Sequence, residues 1–293
     1  MTTPDHPQNR GTSAAAISNL TKRVISAAVL VPVALASAYA GGWIFLAVCI
    51  IGAGVILWEW TSLIAGRADM WFLTPGLAGL VLAGVLIGVN LPGAAAGVIT
   101  IEAVLAALAV AAWPRSDEAL GPIAWAAGGV LYAGVALFGP AVLRSDPEYG
   151  FTALLFLFAT IWITDIFAFF CGRIIGGPLL WPKFSPKKTW SGAIGGLAGG
   201  VAGGVAVAYA SGIGKLGMIG VMALVLSVLA QAGDLFESVV KRRFGAKDSS
   251  GLIPGHGGLM DRLDGFLFAA MAALLIGIVR TGLATPARGL LVW

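Results

Sequence analysis

Phe151-Thr-Ala-Leu-Leu-Phe-Leu-Phe-Ala-Thr160-Ile-Trp162-Ile-Thr164-Asp165-Ile-Phe-Ala-Phe-Phe170 holds one charge in twenty residues. Twenty apolar residues in a helix reach across the hydrocarbon core of a bilayer, at about 1.5 Å per residue. Runs of the same kind recur at about 24–40, 43–65, 70–89, 94–113, 121–143, 190–211, 216–233 and 265–285. With 151–170 they make nine candidate spans. The whole chain of 293 residues is 58% hydrophobic and 11% charged, less than half the charge of an ordinary soluble domain. That balance excludes a water-soluble fold and a disordered chain alike. Short alternating segments, the mark of an outer-membrane barrel, are missing. The expected fold is therefore all-α and polytopic, with a polar cytoplasmic tail at 1–21, an N-terminal set of spans over 22–150 and a C-terminal region over 151–293.

Lys22-Arg23, an apolar run and Ala36-Ser37-Ala38 resemble a secretory signal and its cleavage site. The second apolar run follows almost at once, from Trp43, so retention as a span is expected. Cys49 and Cys171 lie in or beside apolar runs, with no metal-ligand or disulfide spacing. Both read as inert core thiols. If the N-terminus is cytoplasmic, nine crossings place 14 of the 18 Lys and Arg residues on the inner side. The opposite orientation inverts that ratio, so N-in and C-out is expected. This bias also accounts for the net charge of +4 without a nucleic-acid partner.

Polar residues collect in two stretches, 171–189 and 234–264, both on the inner side by the same parity. The second holds ten of the chain's 32 charged residues. Asp234, Ser238, Lys241 and Arg242 fall at i, i+4, i+7 and i+8, one face of a helix. A glycine-rich turn carries Lys247 and His256; His256 contacts a phosphate or merely bonds the turn. Asp261 and Asp264 then open the last span with Arg262 between them. Helix capping explains one of these carboxylates. Acids flanking a glycine loop with several cations instead suit a Mg²⁺–polyphosphate site, where a hard ion takes a few protein oxygens and phosphate supplies others. In the first stretch, Ser185, Lys187, Lys188, Thr189 and Ser191 are phosphate-binding types, although Trp and Lys also form interfacial belts. Asp165 is a functional candidate because an ionised group within a span costs roughly 2.5–3.5 kcal/mol on insertion scales. Glu59 falls near the inner face and is a candidate to join the site. Glu102 has no evident partner. The glycines at 192, 195, 196, 199, 200, 203 and 204 serve close helix packing.

The 27 residues from Ser238-Val-Val-Lys241-Arg242 through Lys247-Asp248, Pro254-Gly-His256-Gly257-Gly258 and Asp261-Arg262-Leu-Asp264 resemble the signature of the CDP-diacylglycerol synthases, or phosphatidate cytidylyltransferases. Gly233-Asp234-Leu-Phe-Glu237, Asp165 with Gly172-Arg173, and Ser185-Pro-Lys187-Lys188-Thr189-Trp190 are similar to the family as well. The likeness covers the C-terminal half; hydropathy alone speaks for the N-terminal half. It implies Mg²⁺-dependent conversion of CTP and phosphatidic acid to CDP-diacylglycerol and pyrophosphate, at the cytoplasmic face of a bacterial plasma (inner) membrane. The roles expected from it put Asp234 and Asp261 on Mg²⁺ with Asp264 in support. Lys241, Arg242 and Lys247 hold the triphosphate and the leaving pyrophosphate, and Ser238 a phosphate or the metal. Ser185, Lys187 and Lys188 hold nucleotide or lipid phosphate, Asp165 orients one of these cations, and Arg262 and His256 complete the substrate contacts. A second cation and a homodimer stay open. An ion-coupled carrier, a CDP-alcohol phosphotransferase and a structural scaffold are the alternatives. The carrier needs its acids near the midplane, the phosphotransferase needs an Asp-Gly motif absent here, and the scaffold has no use for the polar segment.

Overall fold

The computed structural model describes residues 25–26, 28–66, 70–112, 120–253 and 257–293. Among the described residues, eight helices are long and apolar enough to cross a membrane: α2 (Gly42–Ala65), α3 (Met70–Gly88), α4 (Pro92–Ala112), α5 (Leu120–Arg144), α6 (Gly150–Ile175), α7 (Trp190–Ala210), α8 (Leu216–Arg243) and α9 (Met260–Thr281). The chain is an all-α polytopic membrane protein. The first candidate span is described from Ala28 as a shorter helix, α1 (Ala28–Ala40). A short C-terminal helix, α10 (Pro286–Leu291), folds back on α9.

Two helices extend past their apolar runs, and both extensions matter. α8 continues ten residues beyond the apolar run 216–233, so Asp234 through Arg243 are helical, as the i, i+4, i+7 and i+8 spacing predicts, although hydropathy alone ends the span before them. α9 starts at Met260, which places Asp261 and Asp264 within its first turns. Hydropathy marks only the lipid-embedded part of a helix, and amphipathic ends that pack on neighbours escape it. The stretch expected as a loop over 171–189 is also ordered. α6 runs to Ile175, and β1 (Leu179–Trp181) pairs antiparallel with β2 (Ser185–Thr189). Thr189 then caps α7, its Oγ1 accepting from Gly192 N at 3.1 Å.

α6 and α7 pack antiparallel along the glycine face of α7. A Cβ on Gly192 would stand 2.7 Å from Ala168 O, and one on Gly196 2.9 Å from Thr164 O. At Gly200 it would meet Thr164 Oγ1, Thr160 O and Ser227 Oγ. Small residues are what lets two backbones approach so closely in lipid, where apolar side chains gain nothing by leaving it. Thr164 Oγ1 bonds Ser227 Oγ of α8 at 2.7 Å, which ties the third helix to this pair. Gly200→Val is therefore expected to destabilise by about 1–3 kcal/mol through overpacking. Gly217→Ala, where a Cβ meets nothing within 4 Å, is expected to shift stability by less than about 0.5 kcal/mol. Thermal unfolding in detergent compares the two.

Alternation of the helices gathers the C-terminal ends of α2, α4, α6 and α8 with the N-terminal ends of α3, α5, α7 and α9. The opposite end is closed by its own contacts: Arg144 Nε donates to Ala38 O at 2.6 Å, and Arg288 N to Asp146 Oδ2 at 2.9 Å. Among the described residues, nine Lys and Arg fall at the first end and four at the other.

Candidate active site

Asp165 lies ten residues before the end of α6, Asp234 nine before the end of α8, and Asp264 four after the start of α9. At 1.5 Å per residue all three sit within about 15 Å of the same end of the bundle. Their carboxylates act on one another electrostatically, with Lys188 and Arg262 within the same field. Lys188 reaches down from β2 to form an ion pair with Asp234. Side chains alternate across a strand, so neighbouring Lys187 takes the other face and is exposed.

The second half of the site is built around Asp261, which is buried at the start of α9. Its Oδ1 accepts from Lys241 Nζ of α8 at 2.5 Å. Its Oδ2 accepts from Ser249 N at 2.9 Å, Ser249 Oγ at 2.9 Å and Gly258 N at 2.7 Å. Lys241 also pairs with Glu237, one turn earlier on α8, at 3.1 Å. The glycine-rich turn is thus wound around one carboxylate. Gly257 has φ +84, a backbone that other residues rarely adopt, and at Gly258 a Cβ would collide with Ser249 Oγ and the Glu59 carboxylate.

Glu59 locks this turn to the N-terminal half of the chain. It is fully buried on α2. Its Oε1 accepts from Leu259 N at 2.8 Å and Ser250 Oγ at 2.6 Å, and its Oε2 from Met260 N at 2.7 Å. These are amides at the start of α9, which have no partner within the helix. A carboxylate from 200 residues away caps it.

Of the residues singled out in the sequence, Asp165, Asp234, Lys188, Lys241, Asp261, Arg262 and Asp264 converge. Ser238 and Ser185 are half-buried. Arg242 and Lys247 are exposed, and Arg242 Nη1 donates to Ala246 O at 3.0 Å. His256 lies outside the described residues. Glu237 and the acceptor role of Asp261 toward Ser249 were not evident from sequence. The i, i+4 spacing of Glu237 and Lys241 was the available signal.

Among the described residues, no three His, Cys, Asp or Glu side chains close on a single point as a preformed metal cage would. Mg²⁺ does not need one, since it is held by one or two carboxylates together with substrate phosphates and water. One feature fits a cation. Glu237 Oε1 is buried, has no hydrogen-bond donor among the described residues, and its carboxyl group adjoins that of Asp264. A cation, a water or a proton shared between the two carboxyl groups would satisfy such an oxygen.

Comparison with known proteins bears on these same elements. The phosphatidate cytidylyltransferase of Brucella abortus is 44% identical over 264 residues, covering 90% of this chain and 95% of that protein. The Brucella melitensis protein of that name is 43% identical over the same length. The one from Staphylococcus haemolyticus is 36% identical over 140 residues, 47% of this chain and 53% of its own. The model of the cytidylyltransferase family matches residues 21–279, from before α1 almost to the end of α9 and so across every element that contributes to the site. The acids and lysines gathered at one end of this bundle belong to a chain that is a member of the cytidylyltransferase family.

Proposed function

We propose that this chain transfers the cytidylyl group of CTP to phosphatidate, giving CDP-diacylglycerol and pyrophosphate. The observation that carries the reading is the meeting of Asp165, Asp234 and Asp264 with Lys188 and Lys241 at one end of an apolar bundle. Family membership and the names of the relatives support it. A phosphate oxygen of phosphatidate attacks the α-phosphorus of CTP. A new P–O bond forms to the lipid phosphate, the bond from the α-phosphorus to the bridging oxygen breaks, and its electron pair leaves with pyrophosphate. Both reactants are polyanions, so the protein's task is alignment and charge neutralisation, without a covalent intermediate.

Lys188 and Lys241 stand on either side of the acid cluster and would each hold a phosphate group, with exposed Arg242 and Lys247 drawing in the triphosphate from solvent. Asp234, Asp264 and Asp261 would hold Mg²⁺, Asp261 through the lone pair that Lys241 leaves on Oδ1. When bound, the ion supplies neutralisation of the developing phosphate charge. The site faces the cytoplasm in this reading, because the end that carries the acids also carries most of the Lys and Arg. That face gives access both to dissolved nucleotide and to a lipid in the inner leaflet.

The test is incorporation of labelled CTP into lipid by the purified protein with phosphatidate, alongside release of pyrophosphate. Label that crosses proteoliposomes without entering lipid would favour a carrier instead. Lys188→Met leaves Asp234 without its cation and is expected to slow turnover by about 10²–10³-fold. Near-normal turnover in that variant would remove Lys188 from the machinery.

A further inference from the structure

Next to the polar site, α2, α5, α8 and α9 enclose an apolar groove of about 530 Å³, within the size range of small-molecule sites. Trp60, Trp125, Tyr132, Phe236, Phe268 and Leu275 are among its walls. Phe236 and Leu275 are also exposed on the outer surface of the bundle, so the groove opens sideways toward lipid. Its walls and the polar site share the same turns of helix. Trp60 follows Glu59, Phe236 precedes Glu237, and Phe268 stands one turn after Asp264 on α9.

At the junction sits Tyr132. Its side chain is buried, lines the groove, and is within the electrostatic field of Glu237, Asp264, Asp261 and Asp234. Its ring is held at 5.2 Å from that of Trp60 and 6.1 Å from that of Phe236. Its hydroxyl has no hydrogen-bond partner among the described residues. A buried phenol normally finds one, as Trp60 does through its Nε1 to Trp125 O at 3.0 Å. An unpartnered hydroxyl between an apolar groove and a phosphate-handling site matches a ligand with an apolar body and a polar head.

We infer that the groove holds the diacylglycerol portion of phosphatidate and that Tyr132 Oη donates a hydrogen bond to an ester or phosphate oxygen at its polar end. This rests on the reading of the site as a phosphatidate-using one. The tails then lie sideways in the bundle, open to the bilayer, while the phosphate reaches the acid and lysine cluster.

Two variants and two lipids decide it. Ala272, half-buried on the groove wall, is replaced by Phe, and the protein is assayed with dioleoyl and dihexanoyl phosphatidate in micelles. Ala272→Phe is expected to raise KM for the long-chain lipid about tenfold and to leave KM for the short-chain lipid and for CTP near wild type. Tyr132→Phe keeps the ring stack. It is expected to raise phosphatidate KM by up to about tenfold for both chain lengths, with CTP KM and the unfolding midpoint unchanged. Equal effects of Ala272→Phe on both lipids would overturn the groove, and an unchanged phosphatidate KM in Tyr132→Phe would overturn the hydroxyl's role. Native mass spectrometry of the bound lipids on the same proteins gives a readout that needs no turnover. Loss of dioleoyl but not dihexanoyl binding in Ala272→Phe supports the groove even if the unmodified chain forms no product, an outcome that would count against the proposed reaction alone.

Discussion

Replacing Asp261 by Asn is expected to slow CTP-dependent lipid cytidylylation by about 10³-fold or more, and to lower the unfolding midpoint as well. The expectation follows from what its two oxygens accept. Lys241 Nζ lies 2.5 Å from Oδ1, while Ser249 N, Ser249 Oγ and Gly258 N all point at Oδ2. An amide has one acceptor oxygen. In either rotamer its NH₂ faces donors, Lys241 in one and the turn in the other. Breaking a buried ion pair from one side costs about 3–5 kcal/mol, a large part of the few to fifteen kcal/mol by which a folded chain is ordinarily stable. Lys241 would keep Glu237 as its partner, which limits the loss and keeps the variant assayable. A purified Asp261→Asn protein within about threefold of wild-type turnover, with its midpoint unchanged, would show that this carboxylate organises neither the turn nor the reaction. Adding Lys241→Met to Asp261→Asn then strips buried Glu237 of its remaining cation, so the double variant is expected to unfold at a still lower midpoint and to recover no turnover.

The sequence discloses most of the bundle because the bilayer imposes a simple requirement. A run such as 43–65 or 151–170 must be helical and long, so its place in the chain can be read directly. Helix ends are another matter. Asp234 through Arg243 look like loop to hydropathy, yet they extend α8 because Glu237 and Val240 are buried against neighbouring helices. Ser185-Pro-Lys187-Lys188-Thr189 carries no strand signal, and its β form depends on pairing with Leu179–Trp181. Asp165, Asp234, Asp261 and Asp264 are recognisable as candidates because charge near a span is costly. Their partners are not. Lys188 with Asp234 and Glu59 with Met260 are pairings across 46 and 201 residues, and no local pattern encodes which helices meet. The exposed Arg242 and Lys247 show the converse. Arg242 lies on the helix face that carries the site residues and Lys247 in the turn that follows, but it takes packing to decide which cations are drawn in.

Glu59→Gln is the second large effect expected, and it concerns a residue that no substrate need touch. Its carboxylate receives Leu259 N and Ser250 Oγ on one oxygen and Met260 N on the other. Glutamine must turn its NH₂ toward one of these donors, leaving a buried N–H or O–H unpaired at about 1–3 kcal/mol. It also removes the negative charge that favours the N-terminus of α9. The first turns of that helix carry Asp261 and Asp264, so a small displacement there moves both acids. Misplacement of about 1 Å in a positioned site can cost on the order of 10²-fold in rate. Turnover is therefore expected to fall about a hundredfold, with a smaller change in the KM for CTP. Amide exchange should quicken at the start of α9 and in the Ser249–Ser250 stretch. The dependence of rate on Mg²⁺ concentration distinguishes positioning from ligation. A positioning residue leaves the half-saturating concentration near its original value, whereas loss of a metal ligand raises it. A variant with unchanged exchange but a strongly raised Mg²⁺ requirement would make Glu59 a ligand. One with full turnover would mean that α2 merely borders the site, and that the N-terminal half serves as a membrane anchor without helping to hold the catalytic acids in place.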